Sequence, residues 1–194
     1  SKKSRKKCKR AVNEKYDKIV SGYHQSVVLK NDGTFAVWGQ DLNNAGTGDL
    51  LTPVNMNVTN YPALTGTPLK ATIGGAGGSG KEQAILLTST GLFAWGTEGY
   101  VVANSLTSSA AFQKIGNTTG GDATTKLPSG VAPADVIQMT ASYQTLILLT
   151  TGGYVWVLTQ SSANVQGNAA SAATTTWHQV KKDASTVLSG VTAI

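Results

Sequence analysis

Three stretches of this chain can be laid over one another without a gap: GYHQSVVL (22–29), GKEQAILL (80–87) and ASYQTLIL (141–148). Each carries Gln at its fourth place (Gln25, Gln83, Gln144), a small residue at the fifth and three aliphatic residues after it. Each is followed by a Gly-containing turn and an aromatic run: NDGTFAVWG (31–39), STGLFAWG (89–96) and TTGGYVWVL (150–158). Short apolar runs on either side of Asp-Gly, Thr-Gly or Gly-Gly predict a β-hairpin, because those turn residues tolerate positive φ. The chain therefore predicts the same hairpin three times, with Trp38, Trp95 and Trp156 in related positions.

Internal repetition at a fixed period constrains the fold more than any single motif. The Gln positions stand 58 and 61 residues apart (25, 83, 144), a little more than the roughly 40–50 residues of a four-stranded propeller blade. The expectation is an all-β chain, a β-propeller or partial propeller of about three antiparallel four-stranded blades plus the start of a fourth. The stretches Pro53 to Leu69, Phe112 to Pro133 and Thr159 to Val180 are rich in Thr, Asn, Gly and Pro, as outer strands and surface connections should be. The predicted division is an arm over 1–18 and repeats over 19–72, 73–135 and 136–180. The text Leu188 to Ile194 resembles the start of another repeat without the Gln motif that should follow, so 181–194 is expected to open a fourth unit of a longer protein.

Charge is unevenly placed. Residues 1–18 hold nine basic residues against Glu14 and Asp17, a net +7, while the rest hold seven basic and eight acidic residues, a net −1. Lys2, Lys3, Arg5, Lys6, Lys7, Lys9 and Arg10 form a candidate polyanion-binding arm; no aromatic residue for base stacking lies among residues 1–10, which favours a solvated linker. Cys8 is the only cysteine, so neither an intramolecular disulfide nor an all-Cys metal site can form. No apolar run approaches the roughly 18 residues of a membrane span. Asn57-Val-Thr59 and Asn117-Thr-Thr119 match the N-glycosylation sequon.

The segment 19–54 resembles a repeat of the regulator of chromosome condensation family. The resemblance is carried by Gly22, Ser26, Leu29, Asp32-Gly33, Trp38-Gly39, Asn43, Asn44, Gly46, Gly48, Pro53 and Val54. Gln25 replaces the family's usual His, with His24 one place early, the second repeat keeps Trp95-Gly96 but loses the Asp-Gly pair, and the third has lost Trp-Gly. The resemblance implies part of a propeller normally built of seven blades, and it implies no site residue, because the family's exchange loops have no counterpart that can be aligned here.

Catalytic signatures are sparse. Gly75 to Lys81 imitates a phosphate-binding loop, but Glu82 stands where a magnesium-binding hydroxyl belongs and a strand is expected next, not a helix. Only His24 and His178 could serve as imidazole bases or ligands, and both lie beside predicted strand starts, where structural roles are expected. No G-x-S-x-G elbow is present. The recurring Trp residues read as core. The expectation is a non-enzymatic interaction module without catalytic, cofactor or metal residues, presenting loops to a protein or cell-surface partner in a larger, secreted bacterial protein. The alternative is a nuclear or cytoplasmic exchange factor or chromatin binder that uses the basic arm.

Overall fold

Antiparallel hairpins joined in series build the molecule. In a computed structural model, the structure describes residues 19–22, 24–30, 32–40, 49–75, 82–96, 101–102, 113–115, 121–159, 166–168 and 176–194. The basic arm and Cys8 lie outside the described residues, as does the sequon at Asn117. The first sheet runs β1 (Ile19–Ser21), β2 (Gln25–Leu29), β3 (Phe35–Gly39) and β4 (Leu50–Met56). The second runs β5 (Pro68–Gly75), β6 (Glu82–Thr88), β7 (Gly91–Gly96) and β8 (Gln113–Lys114). The third runs β9 (Val136–Ser142), β10 (Thr145–Thr150), β11 (Tyr154–Thr159) and β12 (His178–Gln179). In each sheet the strands lie in chain order and every pairing is antiparallel, so the predicted all-β architecture of three four-stranded sheets is present. A 3-10 turn, Pro133–Asp135, precedes the third sheet.

Strand side chains alternate between the two faces of a sheet, and the middle sheet uses both. Ala84, Leu86, Phe93 and Trp95 join Val27, Phe35, Val37 and Met56 of the first sheet in one core. Ile85, Leu87, Leu92 and Ala94 join Met139, Leu146, Leu148 and Leu158 of the third in another. Every residue of β6 and β7 is buried. An apolar run without alternation is what a strand covered on both faces requires.

The links between sheets complete these cores. Tyr61 and Leu64, between β4 and β5, are buried in the first core, the Tyr61 ring 6.0 Å from that of Trp95 and tilted by 47°. Leu127, between β8 and β9, lies in the second. Trp177, whose place in the repeat is ambiguous in sequence, is 4% exposed and donates its indole N–H to the Lys126 carbonyl at 3.0 Å. Residues 188–194 run over the third sheet without forming a strand: Val191 N–H reaches the Gly153 carbonyl at 3.2 Å, and Ile194 N–H reaches Gln138 Oε1 at 2.7 Å.

The third repeat is displaced by one residue from its sequence alignment. Gln25 pairs with Gly39 and Gln83 with Gly96, but Thr145, not Gln144, pairs with Thr159. Trp38 and Trp95 pair with Ser26 and Ala84, whereas the corresponding pair in the third sheet is Leu146 with Leu158, and Trp156 sits two residues earlier opposite Leu148. The cause is the β9–β10 turn. It holds only residues 143 and 144, so Gln144 falls in the turn and the strand begins one residue later. The Trp residues also differ in setting: Trp95 is 2% exposed, while Trp38 and Trp156 are half-buried.

Candidate interaction face

Each sheet is a meander, so successive connections leave opposite edges. The ends of the three first strands lie together: a Cβ on Gly74 would sit 2.9 Å from Ala141 Cβ and 3.4 Å from Ser142 N, and one on Gly22 would sit 2.7 Å from Glu82 Oε1. The β1–β2, β5–β6 and β9–β10 turns therefore share one edge, and the third-to-fourth-strand connections 40–49, 97–112 and 160–177 leave from that same edge. It is called the loop edge below. The opposite edge carries the links between sheets.

The repeated Gln anchors these connections at their roots. Gln25 is 2% exposed and donates Nε2–H to the Gln40 carbonyl at 2.8 Å, just past β3. Gln83, fully buried, accepts through Oε1 from Val101 N–H at 2.9 Å and Val102 N–H at 3.0 Å. Burying an amide side chain is tolerable when it bonds backbone groups that would otherwise be stranded. The paired glycines make the approach possible. Gly39 and Gly96 have φ of 117° and 127°, and a Cβ on either would strike the carbonyl oxygen of the opposite strand, that of His24 or Glu82. In the third sheet a hydroxyl pair replaces this device: Thr145 Oγ1 and Thr159 Oγ1 are 3.1 Å apart, and Thr159 Oγ1 donates to the Gln144 carbonyl.

Glu82 has a structural task. Its side chain is 4% exposed, Oε2 accepts the His24 backbone N–H at 3.0 Å, and His24 Nδ1 lies 3.8 Å away, so it ties the second sheet to the first. The sequence that imitates a phosphate loop is an antiparallel β5–β6 connection, in which Gly75 pairs with Glu82. A phosphate cradle needs a helix N-terminus at that point, and the strand β6 occupies it. Lys81 lies outside the described residues.

The two histidines are not brought together. His24 serves the first-to-second sheet contact, while His178, on the outer strand of the third sheet, has Nδ1 3.1 Å from Asn168 Nδ2. No group of three His, Cys, Asp or Glu able to hold a metal occurs among the described residues. The described residues include no helix long and apolar enough to cross a membrane. At the Asn57 sequon the side-chain oxygen accepts Thr59 N–H at 3.1 Å and Asn60 N–H at 3.0 Å.

Charges gather at the opposite edge. Asp32 is drawn down to about 2, chiefly by the Thr34 hydroxyl and then the Thr34 backbone N–H. Asp122 is lowered by the N–H and hydroxyl of Thr125, and Asp183 by the N–H groups of Ser185 and Thr186. Lys114 donates to the Thr90 carbonyl and lies 5.0 Å over the Phe93 ring; desolvation, then the neighbouring Lys126, lowers its pKa, and Asp122 opposes them.

The tip of the β9–β10 turn was not legible in the sequence. Tyr143 has φ of 40° at the tip of the β9–β10 turn and is 56% exposed. Its backbone conformation has no marker in sequence, because left-handed turn positions ordinarily read as Gly or Asn.

No family model and no curated protein matches the sequence. Solved structures do match. A human WBSCR16 structure superposes with a TM-score of 0.56 at 14% identity, over 84% of this chain and 37% of that one. Yeast RCC1 (Prp20), crystallised with Kap60 bound, superposes with a TM-score of 0.50 at 15% identity, over 88% of this chain and 38% of its own. The chain thus spans less than two fifths of the structures it matches. Three meander sheets stacked in series, together with these likenesses, give the chain the fold of part of an RCC1-type β-propeller.

Proposed function

We propose that this chain is a non-enzymatic interaction module whose loop edge binds a protein partner at a cell surface, as part of a larger secreted bacterial protein. The repeat division 19–72, 73–135 and 136–180, with 181–194 opening a fourth unit, belongs to the same proposal. The observation that carries it is that the described strand ends Gly39, Gly96 and Thr159, from which the third-to-fourth-strand connections begin, lie at one edge of their sheets, with buried Gln25 and Gln83 bonded to Gln40 and to Val101 and Val102 beside the first two. Rigid sheets presenting variable connections are a general design for recognition. The Thr-, Ser-, Ala- and Asn-rich text supports the extracellular placement by composition, and Prp20 in complex with Kap60 offers a precedent for a propeller that takes a protein partner.

The test is to replace 103–111 by a Gly-Ser linker and measure binding of labelled protein to bacterial and animal cell surfaces. The variant should melt as the parent does and lose surface binding. Binding that survives the exchange refutes the loop-edge reading.

A second reading has its own observation. Residues 1–18 precede β1, whose start lies at the edge that carries Lys30, Lys114, Lys126, Lys181 and Lys182 together with Asp32, Asp122 and Asp183, so a polyanion would be held chiefly by the basic residues among 1–10. A nucleic-acid or chromatin binder, or an exchange factor acting there, should show affinity for duplex DNA that falls steeply with salt and disappears when residues 1–10 are removed. Salt-insensitive binding, or none, dismisses it.

A further inference from the structure

We infer that Asn57 is an attachment site for an N-linked oligosaccharide, on the edge of the molecule opposite the loop edge; the inference shares with the reading above only the extracellular placement. The sequence contributes the acceptor pattern Asn57-Val58-Thr59, with no proline at its middle place. The fold contributes three further conditions: an open position, a spare nitrogen and a turn that brings residue 59 back toward the amide.

The position follows from β4, which begins at Leu50 opposite Gly39 and ends at Met56 opposite Phe35. The turn after it therefore stands away from the connection 40–49. Val58 is 59% exposed, and Thr59 and Asn60 are exposed as well. A bulky, hydrophilic glycan belongs in such open solvent.

An amide side chain has one acceptor oxygen and two N–H donors, and the fold takes only the oxygen of Asn57. Its Oδ1 accepts from Thr59 N–H at 3.1 Å and Asn60 N–H at 3.0 Å, while Nδ2 has no hydrogen-bond partner among the described residues. Asn60 is the contrast, since its Nδ2 donates to the Asn55 carbonyl at 2.7 Å. The bond from Thr59 N–H makes an Asx turn and draws residue 59 back toward the amide. The Thr59 hydroxyl has no hydrogen-bond partner among the described residues. From below, the Asn57 carbonyl takes the N–H of Tyr61 at 2.8 Å, and Tyr61 is buried in the first core. The turn is thus pinned by its backbone and by Oδ1, not by the nitrogen that a sugar would occupy.

The co-substrate is an oligosaccharide carried on a lipid diphosphate. Asn57 Nδ2 bonds to the anomeric carbon, the bond from that carbon to the diphosphate oxygen breaks, the lipid diphosphate leaves with the electron pair, and the amide gives up one proton. The product keeps Oδ1 as an acceptor, so both turn bonds survive the modification.

The test secretes the full chain, behind an added signal segment, from a yeast that glycosylates this motif. Peptide mass mapping follows, with the glycan released by peptide N-glycosidase in heavy-oxygen water, which marks each occupied Asn as labelled Asp and keeps Asn57 apart from Asn117. Asn57 should be marked in most molecules; the mark should be lost in Thr59→Ala, which keeps both backbone turn bonds, and retained in Thr59→Ser. Asn57→Asp keeps the turn acceptor without carrying a glycan, and the glycosylated parent should melt within about 2 °C of it. An unmarked Asn57 in the secreted parent overturns the inference, as does a mark that persists in Thr59→Ala, or a glycosylated form that melts well below Asn57→Asp. Because the added signal supplies export, an unmarked Asn57 counts against the site alone, whereas a glycosylated chain that binds no cell surface counts against the reading above.

Discussion

Gln83 spans 18 residues of sequence to hold two backbone N–H groups, and the motif that repeats it was the clearest mark in the sequence. Its role was not legible there, since a Gln before an aliphatic run reads equally well as solvent-facing. The third copy shows where the pattern misleads. Gln144 matches the motif letter for letter, yet the two-residue β9–β10 turn leaves it outside the strand and half-buried. Substitution separates the two. Gln83→Ala should cost about 2–3 kcal/mol, because two buried donors lose their acceptor, while Gln144→Ala, which keeps its backbone carbonyl, should stay within about 0.5 kcal/mol. Urea denaturation of both variants checks this, and equal losses would count against a clamping role for Gln83.

At the scale of the element, the hairpins were legible from their Gly-bearing turns, whereas the Asp-closed turns were legible only at Asp32, since Asp122 and Asp183 lie in the β8–β9 link and beyond β12. Asp32, Asp122 and Asp183 each accept N–H groups two or three residues ahead, and all three are held below the ordinary carboxylate range. The folded form thus binds protons more weakly at these sites than the unfolded chain. Their contribution is complete above the ordinary Asp pKa of about 4 and is lost as pH falls, for Asp32 through about 2. Thermal melting of the parent should drop between pH 5 and pH 2 more steeply than that of the triple variant Asp32→Asn, Asp122→Asn, Asp183→Asn. Parallel slopes would contradict this account. The outer edge β4 shows another element-scale device. Pro53 offers no N–H, and the Asn55 carbonyl is taken by Asn60 Nδ2 at 2.7 Å, which blunts an otherwise open row of pairing groups. Nothing in the sequence of β4 alone reveals the second half of that protection, since it depends on the turn that follows.

For the whole molecule, the period indicated stacked four-stranded units and the structure has them. The sequence did not show how unequal the three sheets are. The middle one is covered on both faces, whereas β12 contributes two residues and β1 three. Local stability should follow that inequality. Native-state hydrogen exchange is expected to be slowest in β6 and β7, with β1 and β12 opening first; uniform protection across the sheets would be inconsistent with two separate cores. The division has a practical corollary for anyone altering this protein. From Ala84 to Leu87 in β6, the even-numbered residues belong to the first core and the odd-numbered residues to the second. The parity of a residue number is therefore an address, and Leu86→Ala and Leu87→Ala, one peptide bond apart, would loosen opposite sides of the molecule.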